Sequence, residues 1–120
     1  MQSEIKKITR IINEMTYVLM KKGSIDLEVK VKKNKDLSTI YIVDYNTKYS
    51  DEEICELYEV LNIQRQCEVE GYYWELVGED YDGDELFLVG SMIDNAEVKK
   101  IGNNLYIKMD RSFRHKRCFN

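Results

Sequence analysis

The sequence predicts an α/β fold of the α+β kind: a two-layer sandwich in which a mixed sheet of about four or more strands carries about three helices on one face. Three observations carry that expectation. Three stretches repeat apolar residues at three- and four-residue spacing, as helices with one buried side do. Three stretches alternate apolar with polar residues, as half-buried strands do, and a fourth, following the first of them, is apolar on both faces. The resulting order is helix, strand, strand, helix, irregular segment, helix, strand, strand, so two hairpins meet helices that can all lie on one side.

The first helix spans Ser3 to Lys22, with Ser3 as N-cap, Ile5, Ile8, Ile12, Met15 and Leu19 as its buried stripe, and Gly23 as its stop. Lys21 and Lys22 suit the negative end of its dipole. Ile25, Leu27, Val29 and Val31 then alternate with Asp26, Glu28, Lys30 and Lys32, giving a strand with one dry face. After the polar turn at Lys33 to Asp36, Leu37 to Tyr45 forms a second strand, apolar on both faces and so expected nearer the centre of the sheet.

Ser50 followed by Glu53 is a capping box that starts the second helix, with Ile54, Leu57, Tyr58 and Leu61 turned inward. Gln64 to Gly83 is irregular; within it Glu68 to Val77 reads as a short helix that Gly71 weakens by roughly 1 kcal/mol relative to alanine. The acidic loop Gly78 to Asp84 lacks the ligand spacing and closing glutamate of a calcium loop. Leu86, Leu88, Val89, Met92 and Ile93 make the third helical stripe. Ala96 and Val98, then Leu105, Ile107 and Met109, alternate as a closing hairpin around Gly102, Asn103 and Asn104, residues that tolerate positive φ.

One domain over residues 1–110 and a basic C-terminal tail over 111–120 account for the whole chain of 120 residues. The net charge of -4 understates the acidity of the body, because Arg111, Arg114, Lys116 and Arg117 fall in the tail. An acidic body argues against a nucleic-acid partner. No apolar run is long enough to span a bilayer and the start lacks a signal-peptide core, so no membrane partner and a cytoplasmic location are expected. The three cysteines, Cys55, Cys67 and Cys118, and the single His115 have no metal-ligand spacing, so no metal site is expected. Polar-faced strands leave open sheet edges, which makes a homodimer plausible.

The order of elements and the phrase Glu85 to Lys100, ELFLVGSMIDNAEVKK, resemble the Bergerat-fold ATPases, the ATP-binding domains of histidine kinases and above all of anti-sigma-factor serine kinases. Carried over position by position, the resemblance places Glu14 on the family's catalytic glutamate and Val18 on its magnesium-binding asparagine. Its Asp-x-Gly-x-Gly turn falls on Asp44 to Ser50, where Asp44 stands on the adenine-reading aspartate, Asn46 is a further nucleotide candidate and both glycines are absent. Its Gly-x-Gly falls on Gly83, Asp84 and Glu85, and its ATP lid on Tyr72, Tyr73 and Trp74, aromatics that could instead fill the place of the base. Magnesium needs oxygen ligands, which Val18 cannot supply. Two carboxylates beside a triphosphate repel it, by about 4 kcal/mol per unit-charge pair about 4 Å apart at an effective dielectric of 20.

The expected function is therefore a non-catalytic ATPase-like regulatory or protein-interaction domain, with a protein partner and no resident cofactor. The alternative is a binder of ATP and magnesium, or a serine kinase of the anti-sigma type, with an altered nucleotide site in which Glu14, Asp44, Asn46 and Gly83 still serve.

Overall fold

A computed structural model describes residues 3–66 and 85–113. Seven elements follow in order: α1 (Glu4–Lys22), β1 (Leu27–Lys33), β2 (Leu37–Asp44), α2 (Asp51–Leu61), α3 (Glu85–Met92), β3 (Asn95–Ile101) and β4 (Asn104–Ser112). The strands form one open sheet in the order β1-β2-β4-β3, and the helices pack as a second layer, so the two-layer α+β sandwich holds. Among the described residues the sheet is antiparallel at every pairing rather than mixed. Strands β2 and β3 do run in the same direction, but β4 lies between them and opposes both.

The helix ends follow local chemistry. The Ser3 side chain accepts from the Lys6 amide at 3.2 Å, and Gly23 closes α1 in the left-handed region at φ 120°. Both halves of the Ser50–Glu53 capping box form at the start of α2. In the last hairpin only Gly102 takes positive φ, at 62°, so the turn uses the glycine at its first central position and neither asparagine.

The core lies between the sheet and the helix layer: Ile8, Ile11, Met15 and Leu19 of α1 meet Ile40 and Ile42 of β2 and Leu105, Ile107 and Met109 of β4. The buried stripe of α1 thus runs through Ile11; Ile5 is exposed and Ile12 only partly buried. In α2, Leu57 and Leu61 are buried, whereas Tyr58 is half-exposed. Residues Leu88 to Ile93 are buried without interruption, so α3 is enclosed nearly all round rather than along one stripe, as a short helix wedged between α1 and α2 must be. Gly90 makes that wedge possible, since a Cβ there would stand 2.1 Å from the Val60 carbonyl oxygen of α2.

The dry face expected of β1 is not dry: Val29 and Val31 are 41% and 43% exposed. β1 is an edge strand whose extensive packing is with β2 alone, because α1 lies against β2 and α3 and leaves the edge uncovered. Ile25 precedes the strand and is almost fully exposed.

Arg111 belongs to the fold rather than to a basic tail. It pairs with Ser38 across the sheet, and its side chain is buried. The guanidinium grips both Glu4 carboxylate oxygens, at 2.7 and 3.0 Å, and donates to the Met92 carbonyl at 2.6 Å. One side chain thereby ties the end of β4 to the start of α1 and the end of α3. Arg114, Lys116 and Arg117 lie outside the described residues.

Candidate functional site

The residues at the inner end of β2 form the most distinctive polar site. Even-numbered β2 side chains point toward the helices, so the alternation that buries Ile40 and Ile42 also buries Asp44, with no exposed surface left. Among the described residues, neither Asp44 carboxylate oxygen has a hydrogen-bond partner. A buried carboxylate without donors is costly, so such a group is a strong acceptor for any amino or hydroxyl group that reaches it.

The chain leaves Asp44 through a turn in which Asn46 adopts φ 54°, the only positive φ among described non-glycine residues. Asn46 stands where the Bergerat resemblance puts the first glycine of its turn, and asparagine reaches the left-handed region at modest cost. Its amide donates to Asn104 Oδ1 at 3.2 Å and the next amide, Thr47, to the Asn103 carbonyl at 2.8 Å, which pins the turn to the β3–β4 hairpin.

Beyond that turn, Tyr49 lies against the core with Lys22 of α1 over its ring, 5.3 Å from the centroid. Lys22 also pairs with Glu53 in the first turn of α2. Burial first, and then the nearby carboxylates of Glu53 and Asp44, push the Tyr49 hydroxyl up to about 12. The Lys22 ammonium, helped by the Ser50 amide, holds the Glu53 carboxyl down to about 2. Tyr49, Glu53 and Glu56 line a cleft of about 770 Å³ between α2 and the start of α3, with Leu86 and Phe87 on its far side. Sequence reasoning does not single out this group, because Lys22 and Glu53 are far apart in the chain; the available signal is Tyr49 directly before the capping box, where an apolar residue often packs onto the helix.

Glu14 is not joined to these residues by any hydrogen bond or ion pair among the described residues. It is buried on α1, with a carboxylate oxygen 2.7 Å from Arg10 Nε. The contact is a close charge pair one helical turn apart, without the alignment of a hydrogen bond at Nε. Val18, one turn further on, carries no oxygen for a metal. Glu85 is buried in the first turn of α3, so a carboxylate occupies the positive end of the helix. Gly83, Asp84, Tyr72, Tyr73 and Trp74 lie outside the described residues.

Of the positions that the resemblance would give to a nucleotide, Asp44 is fully buried and is not among the residues lining the cleft, Val18 and the Glu14–Arg10 pair do not fit magnesium, and Glu85 does not fit a phosphate. No helix among the described residues is long and apolar enough to cross a membrane. Neither a scan against protein-family models nor a search of curated proteins returns a match to this chain.

Proposed function

We propose that this chain is a non-catalytic regulatory domain with a histidine-kinase-like ATPase fold, which acts by docking a protein partner and has lost most of the residues that hold phosphate and magnesium. The observation that carries this reading is the engagement of Glu14 by Arg10 at 2.7 Å, with both side chains largely buried. A general base must present a free oxygen to its substrate, and Glu14 Oε2 instead stands against the Arg10 guanidinium. Val18 adds a second reason, since no oxygen stands where the resemblance calls for a magnesium ligand. Titration with ATP and magnesium by calorimetry, paired with a protein-phosphorylation assay, tests the reading. No saturable heat at millimolar nucleotide and no phosphate transfer are expected; transfer that is lost in Glu14→Gln would overturn it.

Asp44 favours a second reading, a nucleotide site of altered geometry. Its buried carboxylate is unpartnered and could accept from the amino group of a base. On that reading ATP or adenosine binds without magnesium dependence, and Asp44→Asn abolishes the binding. Equal affinity in the variant and the parent would discard it.

A further inference from the structure

We propose that two copies of this chain pair through their β1 edges, antiparallel and centred on Val29, to make one continuous eight-stranded sheet. The inference is independent of whether any nucleotide binds. It begins with which backbone groups the edge leaves open. Tyr45 N donates to Asp26 O at 3.0 Å and Asn34 N to Leu37 O at 2.9 Å, and the register between these bonds pairs Leu27 with Asp44 through Lys33 with Ser38. Residues 26, 28, 30, 32 and 34 therefore turn their amides and carbonyls toward β2, and Leu27, Val29, Val31 and Lys33 turn theirs outward.

The side chains of that edge are self-complementary about Val29. Across a two-fold axis there, Val29 faces Val29 of the second copy, Leu27 faces Val31, Glu28 faces Lys30 and Asp26 faces Lys32. Val29 is among the residues with outward backbone groups, so the central pair exchanges both hydrogen bonds. The Glu28–Lys30 pairs then sit at the closer, non-hydrogen-bonded positions. Neighbouring registers fail on charge. An axis at Lys30 or Glu28 sets that residue against its own copy, an axis at Val31 sets Lys30 against Lys32, and an axis at Leu27 sets Asp26 against Glu28.

What the edge exposes agrees with this. Val29 and Val31 lie on the helix side of the sheet, opposite Ile42 and Ile40, yet more than two-fifths of each is exposed. Pairing continues that apolar row into the second copy. Lys30 stands over the Tyr41 ring, 5.9 Å away, and among the described residues no ion pair reaches Lys30 or Lys32. Lysines on an edge usually discourage pairing. Here the acids two and four residues before Lys30 turn the same lysines into the selectors of one register. The interface is isologous, so each pair off the axis occurs twice.

Sedimentation of the full chain over a concentration series tests the proposal, with the variants Lys30→Glu and Glu28→Lys/Lys30→Glu and with thermal melting as the check on folding. Lys30→Glu sets Glu28 against a glutamate twice per dimer, whereas the double variant restores an acid opposite a lysine at both places. The parent is expected to dimerise, the single variant to do so roughly tenfold or more weakly, and the double variant to recover. A parent that stays monomeric at high concentration, a single variant that dimerises like the parent, or a double variant that stays as weak as the single one would each overturn the proposal. Val29→Pro provides a further arm: its amide points away from β2, so the change removes an edge donor and spares the β2 ladder. Undiminished dimerisation in a folded Val29→Pro protein would likewise refute the assigned edge.

Discussion

Replacing Gly90 with alanine tests the packing that holds α3 between its neighbours, because two effects of opposite sign meet there. In a helix interior, glycine to alanine gains about 0.8 to 1.0 kcal/mol from propensity. Against that gain, the new methyl would lie 2.1 Å from the Val60 carbonyl oxygen, 3.2 Å from its carbonyl carbon and 3.0 Å from Ile63 Cγ1. Comfortable contact between heavy atoms is about 3.5 Å or more, so relief requires α3 to move off α2 by roughly an ångström. Ile63 can turn aside, but the Val60 oxygen is backbone in the last turn of α2, and that turn is held by Asn62, which bridges to the amide and the carbonyl of Ala96 at 2.9 and 3.0 Å. Overpacking costs about 1 to 3 kcal/mol in general, and a clash with backbone belongs at the upper end. The net loss is therefore about 2 kcal/mol, or roughly 6–12 °C in melting temperature for a domain of this size. Urea unfolding of Gly90→Ala beside the parent measures it. A variant as stable as the parent, or more so, would refute the close approach of α3 to α2.

Other perturbations separate the remaining claims. Arg111→Met leaves the Glu4 carboxylate and the Met92 carbonyl without their shared donor and is expected to cost about 3 to 5 kcal/mol in urea unfolding; a loss below about 1 kcal/mol, the range of an exposed ion pair, would return Arg111 to the status of a surface residue. Asp44→Asn replaces a buried side chain that has no hydrogen-bond partner among the described residues with one of the same shape, so it is expected to leave stability about unchanged. Clear destabilisation would mean that the carboxylate is hydrogen-bonded. Glu53, held down to about 2 by Lys22, contributes stability that is fully present above its ordinary value of 4.5 and is lost as pH falls through about 2. Carboxyl titration by NMR should show that low midpoint, and Lys22→Met should raise it toward the ordinary range while the Ser50 amide still holds it down; a parent midpoint near 4.5 would contradict the pair. Leu88→Ala should cost about 2 to 5 kcal/mol, and a variant that melts like the parent would place Leu88 on the wrong face of α3.

Features fixed by neighbours in sequence are legible in the amino-acid order alone. Ser3, Gly23 and the Ser50–Glu53 box end their helices as expected, since a cap needs only a few residues around it. The two hairpins also follow from alternation and turn residues. What depends on sheet order is not legible. Alternation shows that Val29 and Val31 share a face with the core, but not that β1 stands at an edge beyond the reach of α1. A count of charges places Arg111 in a tail, whereas its register opposite Ser38 carries it into the core. The expectation of a mixed sheet fails for the same reason: the directions of β2 and β3 are implied by the helices between them, but the insertion of β4 is not.

The candidate site divides along similar lines. Asp44 stands out by its place in a motif, and its burial follows from the period of β2. The left-handed conformation of Asn46 is not announced by the sequence, which has no glycine in that turn. Lys22, Tyr49 and Glu53 meet only because α1 ends beside the start of α2. Glu14 is a candidate base by position, but its proximity to Arg10, a helical neighbour on the same side of α1, is what argues against that role.

The most direct measurement is calorimetric titration of the full chain with ATP and magnesium, repeated with ATP alone. An ATPase-like fold without its chemistry predicts no saturable heat at millimolar ATP and no gain from magnesium. Saturable binding strengthened by magnesium would contradict the account at its centre, because Val18 offers no oxygen and the Glu14 carboxylate stands against Arg10.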